Sequence, residues 1–306
     1  MPGNSFSEEI LDEAHRYPTI YREQVENTPN LELGDKVFVS GAGDSYAASI
    51  TGTALAGFKG SPIDPRELKY HRGGRGTLII AVSLGGRTRS LLEAVKRHRD
   101  MGSMIVAVTG NPESPLAGLA DTAILVKHNK YVRGSGFGSY IGMTAAIAAL
   151  LGSGGKPRNK TVCSPRRGVD GRVPFFVGES WRYGVGYFAM LKMHEDLGMP
   201  SRTEKLEQFM HATVFSLQTY EAPYVLEYKK KLPQSFTDVL ETWNPVYLDD
   251  IIPGLTGDDV DAFICLSQSL TILVAQYIAD RGLDKPYYRR AKGVAERLAG
   301  TIYSKG

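Results

Sequence analysis

Polar and apolar positions along this 306-residue chain fall into a repeating order. Residues Phe6 to Val25 mix charged and apolar positions as a helix does. Lys36-Val-Phe-Val-Ser40 follows, a short β-branched and aromatic run that stops at Gly41-Ala-Gly43-Asp44-Ser45, and a helix is predicted from Tyr46 to Phe58. The order then recurs. Thr77 to Ser83 is almost continuously apolar, as a parallel strand buried on both faces must be, and it ends in Leu84-Gly-Gly-Arg-Thr88 ahead of a helix from Ser90 to Met101. A strand from Ser103 to Thr109, the turn Gly110-Asn111-Pro112, a short helix near Leu116, a strand from Thr122 to Lys127 and a helix from Ser139 to Leu151 complete the first half. Strand–turn–helix alternation predicts an α/β fold, a doubly wound parallel sheet flanked by helices.

From Gly152 to Arg172 the pattern breaks: Gly, Ser, Pro and Arg dominate without strand or helix periodicity, which reads as an interdomain linker. The second half then starts over. Val173-Pro-Phe-Phe-Val-Gly178 is a predicted strand, followed by a helix from about Tyr183 to Leu197, a loop from Gly198 to Glu204 and a helical stretch from Gln208 to Gln218. Asp261-Ala-Phe-Ile-Cys-Leu266 reads as a buried strand, Leu270 to Arg281 as the helix after it, and Asp284 to Gly306 as a tail that is helical from Ala291. The expected organisation is therefore two α/β domains, residues 1–152 and 173–306, each large enough for its own core.

Composition narrows the partners. A hydrophobic fraction of 42% with 23% charged residues is ordinary for soluble globular proteins, so no fibrous or disordered class is indicated. The net charge of +3 is small, and the basic runs Lys229-Lys230-Lys231 and Arg289-Arg290 are short, so they read as solvated faces and no nucleic-acid partner is expected. The longest strongly apolar stretch, near Ile141 to Leu151, is well short of the ~20 residues of a membrane helix, and Met1 to Glu9 has no signal pattern. Cys163 and Cys265 have neither C-x-x-C nor metal-like spacing, so a disulfide framework is not expected and a cytoplasmic location is. His15, His71, His98 and His128 form no metal-like cluster, and neither a metal nor an organic cofactor is expected.

Ligands of such sheets bind beyond the carboxyl ends of the strands. Two loops there carry phosphate-binding chemistry. Gly41 and Gly43 permit a tight turn and close approach of backbone amides, while Asp44, Ser45 and the helix start behind them offer oriented donors. Ser83, Thr88 and Ser90 surround Gly85-Gly86 at the second strand end, with Arg87 and Arg89 adding charge. A dinucleotide fingerprint needs a third glycine where Tyr46 stands, and no Gly-Lys-Ser/Thr follows, so neither a nicotinamide site nor a P-loop fits. The bland alternative makes Ser45 and Ser83 simple helix caps; two such loops on successive strands favour a ligand.

These residues resemble the sugar isomerase (SIS) domain family. Its first loop, G-x-G-x-S, is matched by Gly41-Ala42-Gly43-Asp44-Ser45, and its second, S-x-S-G-x-T, by Ser83-Leu84-Gly85-Gly86-Arg87-Thr88, where Gly85 replaces a serine. Glu67-Leu-Lys-Tyr70 looks like the family's E-x-R-Y strand. The second half is similar to the second SIS domain in the isomerase part of glucosamine-6-phosphate synthase. The family's K-x-x-E is matched by Lys192-Met-His-Glu195; its ring-opening histidine, 16 positions on, by His211; and its terminal lysine by Lys292, after a loop one residue longer. Ala212-Thr213 replaces the usual Gly-Pro, and Gln208 the usual glutamate, beside Glu207.

The resemblance implies two SIS-type sheets, a hexose 6-phosphate substrate whose phosphate is held by Gly43, Asp44, Ser45, Ser83, Gly85 and Thr88, and a homodimer with shared active sites. Glu195 becomes the base that moves a proton between C2 and C1, which calls for burial to raise its pKa from ~4.3. His211 becomes the ring-opening acid/base, and Lys292, with Lys192, stabilises charge on the sugar. The alternatives on the residues alone are an exposed Glu195-Asp196 pair and a core His211 beside Phe209, Met210 and Val214; His194 is one position off the Glu195 face. Met1-Pro2-Gly3 offers no glutaminase nucleophile, so a glucosamine-6-phosphate deaminase is the first expectation. A phosphoglucose/phosphomannose isomerase is the second, and a non-catalytic sugar-phosphate sensor the third.

Overall fold

The computed structural model describes residues 5–128, 131–158, 163–166, 171–252, 259–291 and 293–304. The chain forms two compact units. One comprises Tyr17–Tyr131, Gly136–Pro157 and Ala291–Gly306; the other comprises Met1–Arg16, Val132–Ser135 and Arg158–Arg290. The division after Pro157 falls inside the predicted linker, but both chain ends, and the short segment 132–135, belong with the half they are remote from in sequence.

The first unit is built on a five-stranded parallel sheet: β1 (Lys36–Gly41), β2 (Ser61–Ile63), β3 (Thr77–Val82), β4 (Met104–Thr109) and β5 (Thr122–Leu125), in the order β2-β1-β3-β4-β5. Every residue of β3 is buried, as its unbroken apolar run requires of a central strand. Ile79, Ala81, Ile105 and Ala107 face Leu91, Val95 and Leu116 from the covering helices. Two helices that are apolar all round, Asp44–Leu55 and Gly138–Leu150, pack together, and the hydroxyls of Thr51 and Tyr140 meet at 2.8 Å. The register decides where a ligand can go. Gly41 pairs with Val82, so β1 and β3 end level, and the chain leaves them for opposite sides of the sheet.

The second unit has a four-stranded parallel sheet, β6 (Val173–Gly178), β7 (Arg202–Lys205), β8 (Glu221–Val225) and β9 (Val246–Tyr247), in the order β7-β6-β8-β9. Phe175, Val177, Phe209, Val225 and Leu240 form its core on one face. The helices Phe6–His15, with its Ser5/Glu8 capping box, and Ser180–Lys192 pack on a 22-residue helix, Asp259–Asp280. Both units are thus α/β with a parallel sheet flanked by helices.

Four expectations are corrected. Asp261 to Leu266 is not a strand; it is the start of helix Asp259–Asp280, which also takes in the helix expected from Leu270. A fully buried apolar run has no periodicity to read, and only its length separates strand from helix. This helix, among the described residues, is long and apolar enough to cross a membrane, unlike the Ile141 stretch, but 89% of its most apolar window is buried within the protein. Glu67 to Tyr70 is not a strand either. Pro65 opens a helical turn, Pro65–Leu68, capped by the Asp64 carboxylate. The expected loop Gly198–Glu204 contains the polar edge strand β7, whose Arg202 pairs with buried Glu221 at 2.6 Å.

The fourth correction concerns the cysteines. Cys163 and Cys265 are joined in a disulfide, with Cα atoms 5.1 Å apart across 102 positions of sequence. The inference of a cytoplasmic location from unpaired thiols therefore falls away. Closing a loop of that length in the unfolded chain contributes up to ~4–5 kcal/mol in the chain-entropy model. Urea unfolding of the second unit, followed by its Trp181 and Trp243 fluorescence, is expected to move to lower urea in reductant, with a loss of about 4 kcal/mol in unfolding free energy; superimposable curves contradict the bond.

Candidate active site

In the first unit the loops after β1 and β3 lie side by side. Gly43 has φ 58° and ψ −128°, a conformation closed to residues with a side chain, and it heads helix Asp44–Leu55. Ser45 is buried, and its hydroxyl donates to Met143 Sδ at 3.4 Å, so at this first loop the serine points into the helix pair. The second loop is built differently. Gly86 N–H donates to Ser83 O and closes the turn at φ 63°. Ser83 Oγ and Thr88 Oγ1 meet at 3.0 Å, so two of the predicted phosphate contacts converge. Thr88 is the N-cap of helix Arg89–Asp100 but its side chain makes no capping bond. Gly85 is exposed, and a Cβ there meets nothing within 4 Å.

The chain end returns to this loop, which the sequence did not suggest. Thr88 pairs with Tyr303 in an antiparallel bridge, Ser304 N donates to Arg87 O at 2.9 Å, and Arg89 Nη2 donates to Gly300 O at 2.9 Å. Arg87 is thereby fixed through its backbone. The tail was expected to be partly helical from Ala291, and a helix runs over Val294–Ile302; its partner was not legible.

In the second unit, helix Ser180–Lys192 widens into a π-helical turn, Met193–Leu197. Such turns often mark functional sites. Lys192 is buried to 1% side-chain exposure, and its Nζ lies 2.6 Å from Glu195 Oε2 and 5.3 Å from the Phe188 ring centroid. Glu195 is 40% exposed, so it is not the enclosed carboxylate expected; the lysine, not burial, fixes its direction. Asp196, the other half of the adjacent acid pair, is fully buried. Its Oδ1 accepts a hydrogen bond from Ser135 Oγ, and its Oδ2 has no partner among the described residues. Burial pushes its carboxyl up to about 6, against the opposing pull of Lys192 and the Ser135 hydrogen bond, with the Glu195 charge adding to the rise. The i, i+4 spacing of Lys192 and Asp196 was the available signal for this residue.

His211 ends the short helix Leu206–His211 and is no core residue. It is 73% exposed, with Nε2 2.9 Å from Glu207 Oε1. His194 turns away to Ser201 O at 2.9 Å. Lys292 lies outside the described residues.

Comparison with known proteins bears on these loops. The SIS domain family matches residues 67–151, which include the second loop and helix Gly138–Leu150. Residues 67–151 of this chain are thus similar to the SIS domain family. A glutamine–fructose-6-phosphate aminotransferase (isomerizing) of Sulfolobus acidocaldarius is 31% identical over 122 residues, 35% of this chain and 21% of that protein. A phosphoheptose isomerase of Cytophaga hutchinsonii is 29% identical over 130 residues, 34% of this chain and 68% of that protein. The match thus spans about a fifth of the aminotransferase's length. The C-terminal domain of glucosamine-fructose-6-phosphate aminotransferase from Francisella tularensis superposes with a TM-score of 0.69 over 91% of this chain and 98% of that one, at 14% identity, so the likeness is one of fold.

The two glycines of the second SIS loop have separable roles. A Cβ at Gly86 falls 2.2 Å from Ser114 Oγ on a left-handed backbone, whereas Gly85 has open space. Gly86→Ala is expected to lower stability by ~1–3 kcal/mol and Gly85→Ala to leave it nearly unchanged. Thermal unfolding of the two variants checks this, and equal losses contradict the loop geometry.

Proposed function

We propose that this chain is a phosphosugar aldose–ketose isomerase acting on hexose 6-phosphates, with glucosamine 6-phosphate converted to fructose 6-phosphate and ammonia. The observation that carries the reading is the buried Lys192 ammonium holding the half-exposed Glu195 carboxylate at 2.6 Å, at the K-x-x-E position of the isomerase pattern. A lysine removed from water is tolerated only when paired, and here the pairing directs the Glu195 carboxylate.

In this reading the phosphate anchors on Ser83, Thr88 and the backbone around Gly85, with Gly43, Asp44 and Ser45 forming the neighbouring loop. His211, exposed and hydrogen-bonded to Glu207, opens the sugar ring; its exposure suits service to a second copy of the chain, so a homodimer is part of the proposal. Glu195 takes the C2 proton and returns it to C1. With a C2 amine the product is a C1 alcohol and a C2 imine, and water hydrolyses the imine to ketone and ammonia. With a C2 hydroxyl the same transfer interconverts aldose and ketose. Lys192 orients Glu195 through their ion pair, and Lys292 completes the charge stabilisation carried over from the family pattern. The amino-sugar branch is favoured by the Lys192 and Lys292 pair of the synthase pattern, and the similarity to the aminotransferase supports it.

Purified protein offered glucosamine 6-phosphate, fructose 6-phosphate, glucose 6-phosphate and mannose 6-phosphate separates the readings. Ammonia from the first is the expected result; interconversion of the others without ammonia indicates a plain isomerase, and binding without turnover indicates a sensor. Glu195→Gln is expected to lower kcat by ~10²–10⁴ with sugar-phosphate binding unchanged. Full activity in that variant contradicts the assignment of the base.

A further inference from the structure

The disulfide has no part in the proposed reaction, and it lies where the linker meets the longest helix. Cys265 shares one stripe of helix Asp259–Asp280 with Asp261, Gln268 and Ser269, at the spacing that puts residues on a single helical face. Each of the four holds the linker. Asp261 Oδ1 accepts a hydrogen bond from Arg158 N at 2.8 Å, and Gln268 Oε1 accepts one from Cys163 N at 3.3 Å. Ser269 Oγ donates to Cys163 O at 3.3 Å, and Cys265 is bonded to Cys163 itself. Linker and helix therefore run side by side in the same direction. Beyond them Arg166 N donates to Asp250 O at 3.0 Å.

This contact differs from the rest of the helix's packing. Asp261, Gln268 and Ser269 are buried and polar on a helix whose other buried residues are mostly apolar. Water can bond these groups when the linker leaves, so parting the two costs far less than opening an apolar core. The covalent bond is what makes the contact lasting. Its two ends differ in access: Cys265 is 4% exposed, whereas Cys163 is half-buried and precedes the exposed Ser164.

We propose that Cys163–Cys265 is a redox-operated clasp, which holds the linker on helix Asp259–Asp280 when closed and, when opened by a thiol reductant, lets the linker around Cys163 leave while the second sheet stays folded. Strands β6 to β9 lie between the two cysteines in sequence and are joined by their own ladders, so none of their hydrogen bonds depends on the clasp. The exchange balances with a dithiol. Its thiolate attacks the Cys163 sulfur and forms a new S–S bond; the bond to Cys265 breaks, and the Cys265 sulfur leaves with the electron pair and takes up a proton. The second thiol of the reductant then displaces Cys163 as a thiol. The protein disulfide is reduced by two electrons, and the dithiol is oxidised to its own disulfide.

Trypsin reads the state of the clasp without any sugar phosphate, so the outcome is separate from that of the proposed reaction. Its sites after Arg158 and Arg166 lie on the clasped stretch; those after Lys229, Lys230 and Lys231 lie in an exposed turn of the same unit and serve as the reference. Protein treated with glutathione disulfide is expected to take up no iodoacetamide and to be cut slowly after Arg158 and Arg166. After dithiothreitol it is expected to take up two carbamidomethyl groups and to be cut there at least ~10-fold faster, because cleavage follows the open population. The rate at Lys229 to Lys231 is expected to stay the same, and reoxidation to restore the slow rate in protein not alkylated. Cys163→Ser is expected to be cut fast at the linker with or without dithiothreitol. Slow linker cleavage after reduction overturns the proposal, as does equal acceleration at Lys229 to Lys231, which indicates general unfolding. A fast rate that reoxidation does not reverse, or a Cys163→Ser protein as resistant as the oxidised wild type, overturns it too.

Discussion

The second unit is organised around one ammonium group out of water. Lys192 has almost no exposure, and a lysine so placed must be compensated where it stands or it loses its proton. The chain meets that demand inside five residues. The helix widens at Met193–Leu197, which turns Asp196 wholly inward, where Ser135 donates to it, and leaves Glu195 at the surface in an ion pair with Lys192. Two carboxylates that a sequence presents as equivalent neighbours thereby acquire different environments. This separation is what makes an acid–base reading of the site physically reasonable.

The first unit answers a different constraint, that of presenting polar loops from a sheet whose interior is mostly apolar. β1 and β3 end in register at Gly41 and Val82, and the chain departs from them in opposite directions. The turns that follow depend on Gly43, whose backbone angles exclude a side chain, and on Gly86, a left-handed glycine with no room for a Cβ beside Ser114. Ser83 and Thr88 then meet at hydrogen-bond distance, and the returning chain end holds the backbone of Arg87 and Thr88. The serine missing at Gly85 is a difference of chemistry rather than of space, since the position is open.

Much of this was legible in the chain because buried parallel strands and glycine turns leave local marks. Thr77 to Val82 reads as a buried strand from its apolar run alone, and the turns after β1 and β3 read from their glycines. What was not legible depends on partners remote in sequence. Ser135 and Asp196 are 61 positions apart, and Cys163 and Cys265 102 apart. β7 is a polar edge strand without an apolar pattern, and Asp261 to Leu266 was apolar on every side, which conceals a helix as well as it suggests a strand. The exposure of His211 sets aside the alternative of a core residue for a related reason: Phe209, two positions earlier, takes the core-facing position on the same helix.

The claim at the centre is that Glu195 moves a proton between two sugar carbons. Its most direct measurement is NMR of fructose 6-phosphate incubated with the protein in deuterium oxide, with and without ammonium. Deuterium is expected to appear at C1 with the wild-type protein and to stay absent with Glu195→Gln. No deuterium at C1 with the wild type under either condition, or equal incorporation by both proteins, contradicts it.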